Sequence, residues 1–313
     1  MLDELTIRRR LRPLALVIAV WVIGVNCARA EGGIAVVRSS DHASYDQVVE
    51  SLQAAVGTDA ELIEINLRGK TKDWNRAAER IREQNPRLVL ALGPMAARMT
   101  KQHLGELPLL YCMVSNPARY ELAGDNIAGI SLDVPGDVQF AAYRTLVPNL
   151  RTIGVIYDPS KSEQIVVQAT AAAAAMGIEL LSVPVTSHKK VLEALRGMLG
   201  KIDALWTVPD DTVLTTDSFR FLLITSLERK LPFLAISDIF VKVGALATMA
   251  PEPAQMGRQI AQLIGDLDRG EFDLSEVDIM APASSQMVIN RKTAEKIGLE
   301  LSEEILRSAA KVY

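Results

Sequence analysis

The sequence predicts an α/β protein made of two similar lobes, each a parallel sheet covered by helices. Short, continuously apolar segments alternate along the chain with longer segments of helical periodicity, as in parallel strands that are buried on both faces. Three apolar segments also recur in the same order, 116 to 124 residues further on: Ile34–Val37 and Ile153–Ile156, Leu88–Ala91 and Ala204–Thr207, Leu107–Leu110 and Leu231–Leu234. Two lobes of one design would face each other across a cleft, and a cleft between domains is a common ligand site.

In the first half of the chain, the alternation of strand and helix segments begins after about residue 33. Apolar composition predicts strands at Ile34–Val37, Glu61–Leu67, Leu88–Leu92, Leu107–Val114 and Ile127–Leu132. Helical spacing predicts helices at Ser44–Val56 and Trp74–Gln84. Gly93 and Pro94 end the third strand.

The second half repeats this order of elements. We expect strands at Thr152–Tyr157, Ile178–Val183, Ala204–Val208 and Pro232–Ile236, and helices at Glu163–Met176, Val191–Leu199, Leu214–Arg229 and Met256–Leu267. The turn residues Pro148 and Asn149 suggest a boundary there. We therefore expect a first lobe of residues 31–148 plus about 251–281, and a second lobe of 149–250 plus about 282–313.

The amino terminus has the pattern of an export signal. A basic block, Arg8–Arg10, precedes an apolar run from Leu14 to Val25, and Ala28-Arg29-Ala30 presents small residues at the two positions that signal peptidase recognises. These features predict a signal peptide over residues 1–30, cleaved after Ala30, and a periplasmic mature protein. A retained membrane anchor is the alternative.

Composition excludes several classes of protein. The chain has 313 residues and a formal net charge of −4, without the basic character expected of a nucleic-acid binder. Of its two cysteines, Cys27 lies in the predicted signal, so Cys112 has no intrachain partner and no disulfide framework is expected.

Polar and turn-forming residues follow the predicted strands of both lobes. In parallel sheets, ligands bind beyond the carboxyl ends of the strands. The candidates in the first lobe are Ser39, Ser40, Gly93, Pro94, Met95, Ser115 and Asn116; those in the second are Tyr157, Asp158, Asp210, Asp211 and Asp238. Each of these residues is also an ordinary turn or cap residue. Hydroxyls and amides in one lobe and carboxylates in the other would suit a zwitterion, such as an amino acid.

No pattern of an enzyme is present in the sequence. There is no metal-ligand spacing, no Gly-x-Ser-x-Gly elbow, no phosphate loop and no dinucleotide-binding fingerprint. Cys112 lies within an apolar strand, where burial should raise the pKa of its thiol and suppress its nucleophilicity. We expect no catalytic residues, no metal and no cofactor.

Several segments resemble one family closely. They are Ala91–Ala97, Leu107–Tyr111, Asn126–Ser131, Ile153–Pro159, Gly244–Ala247, Met287–Ala294 and Ile297–Leu299. Together they resemble the substrate-binding proteins of ABC importers, in the branch related to tryptophan- and tyrosine-binding members. The resemblance implies the type I periplasmic-binding-protein architecture, with a ligand cleft at a hinge, and a receptor that closes on its ligand and then docks on a permease in the inner membrane.

The sequence therefore predicts a monomeric receptor for a small polar or zwitterionic solute, with no nucleic-acid partner. The alternative is a ligand-sensing module that reports to a membrane signalling protein. Both functions use the same fold and the same cleft.

Overall fold

The computed structural model describes residues 32–58, 60–276 and 279–313. The predicted signal peptide lies outside these residues. Within them the strands form two separate, mostly parallel sheets flanked by helices, which confirms the prediction of a two-lobed α/β protein.

The first sheet has the strand order β11-β5-β4-β3-β1-β2, and all its pairings are parallel. Its strands are β1 (Ile34–Arg38), β2 (Leu62–Asn66), β3 (Leu88–Leu92), β4 (Leu109–Val114), β5 (Ile127–Ser131) and β11 (Ile279–Met280). The helices that pack on it are α1 (Ala43–Val56), α2 (Trp74–Glu83), α3 (Pro94–His103) and α9 (Pro253–Asp268).

Successive residues of β1 point to opposite faces of this sheet. Ala35 and Val37 pack with α2 and α3, whereas Ile34 and Val36 pack with α1 and α9. All four residues are at most 2% exposed. A strand buried on both faces carries no polar side chain along its length, which explains its continuous apolar sequence.

The second sheet has the strand order β13-β12-β10-β9-β8-β6-β7. Its strands are β6 (Thr152–Tyr157), β7 (Glu179–Pro184), β8 (Ala204–Trp206), β9 (Phe233–Leu234), β10 (Ala247–Pro251), β12 (Ser285–Ile289) and β13 (Lys311–Val312). Its helices are α4 (Gly136–Leu146), α5 (Pro159–Ala175), α6 (Val191–Met198), α7 (Thr216–Glu228), α8 (Asp238–Lys242), α10 (Arg291–Ile297) and α11 (Glu303–Ser308). β12 runs antiparallel to β10, the exception to the parallel order within the described strands.

The chain passes between the two sheets three times within the described residues: between β5 and α4, between β10 and α9, and between β11 and β12. The first passage precedes the boundary expected at 148, because Phe140 and Tyr143 of α4 are fully buried in the core of the second lobe. The packing thus favours passages near residues 134, 252 and 282. The boundaries at 148, 251 and 281 stay predictions.

Several element boundaries differ from those expected, for local physical reasons. α5 begins at Pro159 rather than Glu163, because the Asp158 side chain accepts a hydrogen bond from the Ser160 N–H and caps the helix. No helix was predicted after Gly93, yet α3 begins at Pro94, where the fixed φ of proline suits the first turn.

Gly257 allows α9 to pack directly on α1. A Cβ atom at this position would overlap the Ser51 hydroxyl and the Val48 carbonyl oxygen. At Gly265, further along the same helix, a Cβ atom would lie 3.2 Å from Arg269 Nη1, the mobile end of a long side chain.

These two glycines give a matched test of the packing of α9. We expect Gly257→Ala to lower the free energy of unfolding by about 2 kcal/mol through overpacking. We expect Gly265→Ala to leave it unchanged or raise it by up to about 1 kcal/mol through helix propensity. Urea denaturation of both variants measures the difference, and equal effects would contradict a close contact at Gly257.

Candidate functional site

A cleft of about 860 Å³ lies where the two lobes meet. Its walls come from the carboxyl ends of β4 in the first lobe and of β8 and β9 in the second, with part of α5. The three passages between the sheets also border it, through Asp133–Asp137, Pro251, Pro253 and Ala281. The cleft is therefore adjacent to the hinge, and any rotation of one lobe against the other would change its shape.

A β-bulge at the end of β4 shapes the first wall. The register of β4 against β5 shifts between Cys112 and Val114, and Met113 between them has a φ of 61°. This left-handed conformation is costly for a methionine, and bulges of this kind redirect side chains. Here the bulge contributes Met113 to the cleft lining.

Asp133, in the first passage, holds the loop that follows β4. Its Oδ1 accepts a hydrogen bond from Ser115 Oγ at 2.6 Å, and its Oδ2 accepts from the Asn116 N–H at 2.6 Å and from Ser131 Oγ at 2.8 Å. Asn116 has a φ of 49°, again left-handed. The carboxylate thus fixes a strained loop on the cleft wall, immediately beside the hinge.

The opposite wall is ordered by the half-buried side-chain amide of Gln139. Gln139 Oε1 accepts hydrogen bonds from Trp206 Nε1 and Tyr143 Oη, both at 3.1 Å, and its Nε2 donates to the Val134 carbonyl at 2.7 Å. The Trp206 ring packs edge-on against Phe140, with the centroids 5.2 Å apart. Because the polar atoms of Gln139 and Trp206 are bonded to protein, this wall offers a rigid surface of mixed polarity.

Two direct contacts join the lobes across the cleft. Asn116 Nδ2 donates to the Lys161 carbonyl oxygen at 2.8 Å, and Arg119 Nη2 lies 2.6 Å from Asp211 Oδ2. Lys161 Nζ forms an ion pair with the other oxygen of Asp211. The pKa of Asp211 lies below its usual value, first because of Lys161 and then because of Arg119. We refer to Asn116, Arg119, Lys161 and Asp211 as the interlobe latch.

Most of the candidates in the first lobe lie around the start of α3, away from the cleft. Ser39 Oγ accepts a hydrogen bond from the Ala96 N–H at 2.9 Å, which caps α3. Gly93, with a φ of 87°, lies against the Tyr45 hydroxyl and Ser39 Oγ, so that a Cβ atom there would overlap both. Pro94 and Met95 form the first turn of α3. These residues and the half-buried Ser40 do not line the cleft.

The buried aspartates of the second lobe bond to their own loops. Asp158, 6% exposed, accepts from Ser160 Oγ at 2.7 Å and from Thr212 Oγ1 at 2.7 Å, and these bonds lower the pKa of its carboxyl. Asp210, 2% exposed, accepts from the backbone N–H groups of Asp158, Thr212 and Val213. Tyr157 is buried in the core, and burial raises the pKa of its hydroxyl. None of the three lines the cleft.

Asp238 lines the cleft at the start of α8. Its Oδ2 lies 3.0 Å from Lys311 Nζ, and its Oδ1 accepts from the Tyr313 hydroxyl at 2.5 Å. The carboxylate thereby ties α8 to the last strand, β13, on the edge of the second sheet.

Of the predicted site residues, the structure brings Ser115, Asn116 and Asp238 to the cleft lining, and places Asp211 in the latch. That any of the twelve binds a ligand stays a prediction. Residues that line the cleft but were not among the predicted site residues include Met113, Asp133, Gln139 and Trp206. Asp133 and Trp206 occur at or just beyond strand ends, so the rule that selected the other candidates could have found them.

The cleft shows no arrangement of groups for metal or thiol chemistry. Among the described residues, no group of three or more His, Cys, Asp or Glu side chains is placed to hold a metal ion. Cys112 is fully buried, and burial raises the pKa of its thiol to about 12, as predicted. A thiol of that pKa is almost entirely protonated at neutral pH and is a poor nucleophile.

Comparison with known proteins assigns the family. The model of the ABC transporter substrate binding protein family matches residues 33–313. The chain belongs to this family. A tyrosine-binding protein from Clostridioides difficile (strain R20291) is 22% identical over 306 residues, covering 90% of this chain and 88% of that one.

Two solved structures share the fold of this chain. The ABC domain from Streptococcus pneumonia in complex with L-Trp has a TM-score of 0.62 at 22% identity, covering 90% of this chain and 99% of that one. A ligand-free, open substrate-binding protein with adhesive properties from Clostridium difficile has a TM-score of 0.72 at 19% identity, with the same coverage. These likenesses confirm the predicted resemblance to the tryptophan- and tyrosine-related branch of substrate-binding proteins.

Substrate-binding proteins of this family bind small molecules.

None of the helices in the described part of this chain has the length and apolar character to cross a bilayer.

Substitution of the adjacent residues Asp210 and Asp211 compares a buried carboxylate that stabilises the fold with one at the surface. We expect Asp210→Ala to lower the free energy of unfolding by about 3 kcal/mol, because it leaves buried N–H groups without their acceptor. Asp211→Ala, at a side chain that is 58% exposed, should lower it by no more than about 1 kcal/mol. Urea denaturation tests both, and similar losses in the two variants would contradict this assignment.

Proposed function

We propose that this chain is the solute receptor of an ABC importer and captures a small polar or zwitterionic molecule in the interlobe cleft. An amino acid is one candidate, since relatives are named as a tyrosine-binding protein and as a complex with L-Trp. The receptor would act in the periplasm as a monomer, starting at Glu31 after removal of the signal peptide, and would deliver its ligand to a membrane permease. It would need no cofactor and would catalyse no reaction.

The main support for this proposal is the position of the cleft. A volume of about 860 Å³ at the hinge of a two-lobed protein is large enough for a small organic ligand. Closure of the lobes around it would exclude water and would present a changed surface to a partner. The family to which the chain belongs supports the same function.

Native mass spectrometry of freshly purified protein tests this function. We expect a population that retains a small molecule, loses it on unfolding and dialysis, and regains it from a library of amino acids and related solutes. The intact mass should correspond to a chain that begins at Glu31. A mass that includes residues 1–30 would favour the sensing module, and conversion of the retained molecule to a product would contradict a receptor.

The interlobe latch should bias the receptor towards closure. We expect Asp211→Asn to raise the radius of gyration of the ligand-free protein in small-angle scattering, because it removes the negative charge that pairs with both Arg119 and Lys161. The latch side chains are partly exposed, so the change in the closing free energy should not exceed about 1 kcal/mol. The carboxylate has a lowered pKa, so the latch is present at neutral pH and is lost as the pH falls through that pKa.

Arg119→Gln provides the reciprocal variant. If the two side chains act through their ion pair, the double variant should change the radius of gyration no more than the larger single change. Fully additive effects, or no effect of either variant at low salt, would exclude a latch.

A further inference from the structure

We infer, on the basis of the proposed receptor function, that the cleft recognises its ligand through a cationic amine attached to an apolar body, and does not require a carboxylate on that ligand. Three features of the cleft support this inference: the charges that line it, the partners of those charges, and the apolar surface beside them.

The charged groups of the cleft are predominantly anionic. Asp133, Asp137 and Asp238 line it, whereas no lysine or arginine does so among the described residues. His42 also lines it, but its Nδ1 accepts a hydrogen bond from the Ser44 N–H at 3.2 Å while it caps α1. This hydrogen bond engages Nδ1 with the backbone at the start of α1.

Two of the three carboxylates have no cation beside them. Asp238 is neutralised by Lys311. Asp133 accepts hydrogen bonds from the hydroxyls of Ser115 and Ser131 and from a backbone N–H, all of which are neutral donors. Asp137 forms no ion pair or side-chain hydrogen bond within the described part of the chain and is exposed at the cleft. The lining therefore has an uncompensated charge of about −2, which favours a cationic ligand group.

The two cations of the interlobe latch, which adjoins the cleft at Asn116, are already engaged. Arg119 and Lys161 both bind Asp211 in the latch, and neither lines the cleft. A ligand carboxylate would thus meet no free guanidinium or ammonium group there. Helix amino termini could in principle bind an anion, but α1, α4 and α8 carry Asp46, Asp137 and Asp238 in their own first turns, and Glu252 is the N-cap of α9. These carboxylates oppose a second negative charge at the same positions.

The rest of the lining suits an uncharged, apolar body. Met113, Ile165, Trp206, Met249 and Met280 contribute apolar surface, and methionine side chains adapt readily to the shape of a ligand. The amides of Gln164 and Gln168 are available for neutral polar groups. An amine on an aromatic or branched aliphatic body would match both parts of this lining.

Two series of related probes test this inference by calorimetry on the mature protein. One series is tryptamine, L-tryptophan and indolepropionate; the other is isopentylamine, L-leucine and isocaproate. Within each series the body is constant and the charged groups differ. In at least one series we expect the amine to bind as tightly as the amino acid or more tightly, and at least about tenfold more tightly than the carboxylate.

Substitution of Asp137 tests whether its negative charge contributes to the affinity for the amine. We expect Asp137→Asn to weaken binding of the amine by roughly five- to tenfold, with a smaller loss at high salt. Asp217→Asn is the matched control, because Asp217 is also an exposed aspartate in the first turn of a helix but does not line the cleft. The Asp217→Asn variant should bind the amine as tightly as the unaltered protein does. An equal loss of affinity in both variants would overturn a local role for Asp137.

The outcomes distinguish this inference from the receptor function. If a carboxylate probe binds as tightly as its amine, or if an amino acid binds more than about tenfold more tightly than its amine, the inference is wrong while the receptor function stands. If none of the six probes binds, the inference is also wrong. The receptor function is then decided separately, by whether native mass spectrometry detects any retained molecule.

Discussion

The burial of the central strands on both faces constrains where this protein can place polar chemistry. Strands such as β1 and β3 lie between two layers of helices, and the side chains of β3 have no exposure. An unpaired polar group in that position would cost several kilocalories per mole, so polar side chains occur where strands end. In each lobe the carboxyl ends of the parallel strands lie at one edge of the sheet, and the cleft is formed where these edges meet.

Hydrogen-bond partners then divide the polar residues at the strand ends into two groups. Asp158 and Asp210 use their oxygens on helix capping and on loop N–H groups, and both are almost completely buried. Asp133 has the same chemistry but adjoins the cleft, so that its hydrogen bonds shape the wall on which a ligand would rest. Residue type alone does not distinguish these roles. The distinction depends on which groups satisfy each carboxylate, and this is determined by tertiary structure.

The sequence was therefore sufficient to predict the two-lobed architecture, but it identified only some of the residues that line the cleft. Apolar continuity located the strands, and their order in both halves predicted two similar lobes, as the two sheets show. The turn residues Pro148 and Asn149 predict a passage between the lobes there. Phe140 and Tyr143 of α4 are buried in the core of the second lobe, which favours an earlier passage. The left-handed φ of Met113 had no signal in the sequence, because a methionine in an apolar run is indistinguishable from an ordinary strand residue.

The distribution of charge connects ligand occupancy with lobe closure. When two lobes close, water leaves the cleft, and a carboxylate that lacks a cation becomes more costly to enclose. Asp133 and Asp137 are such carboxylates at the hinge side of the cleft, so enclosing them opposes closure. The latch, with two cations around Asp211, lies at a separate position and favours contact between the lobes. A cationic ligand would remove the cost of enclosing Asp133 and Asp137, and would leave the ion pairs of the latch intact. Closure would then be more favourable when the cleft is occupied than when it is empty, and a partner needs such a difference in order to distinguish the two states.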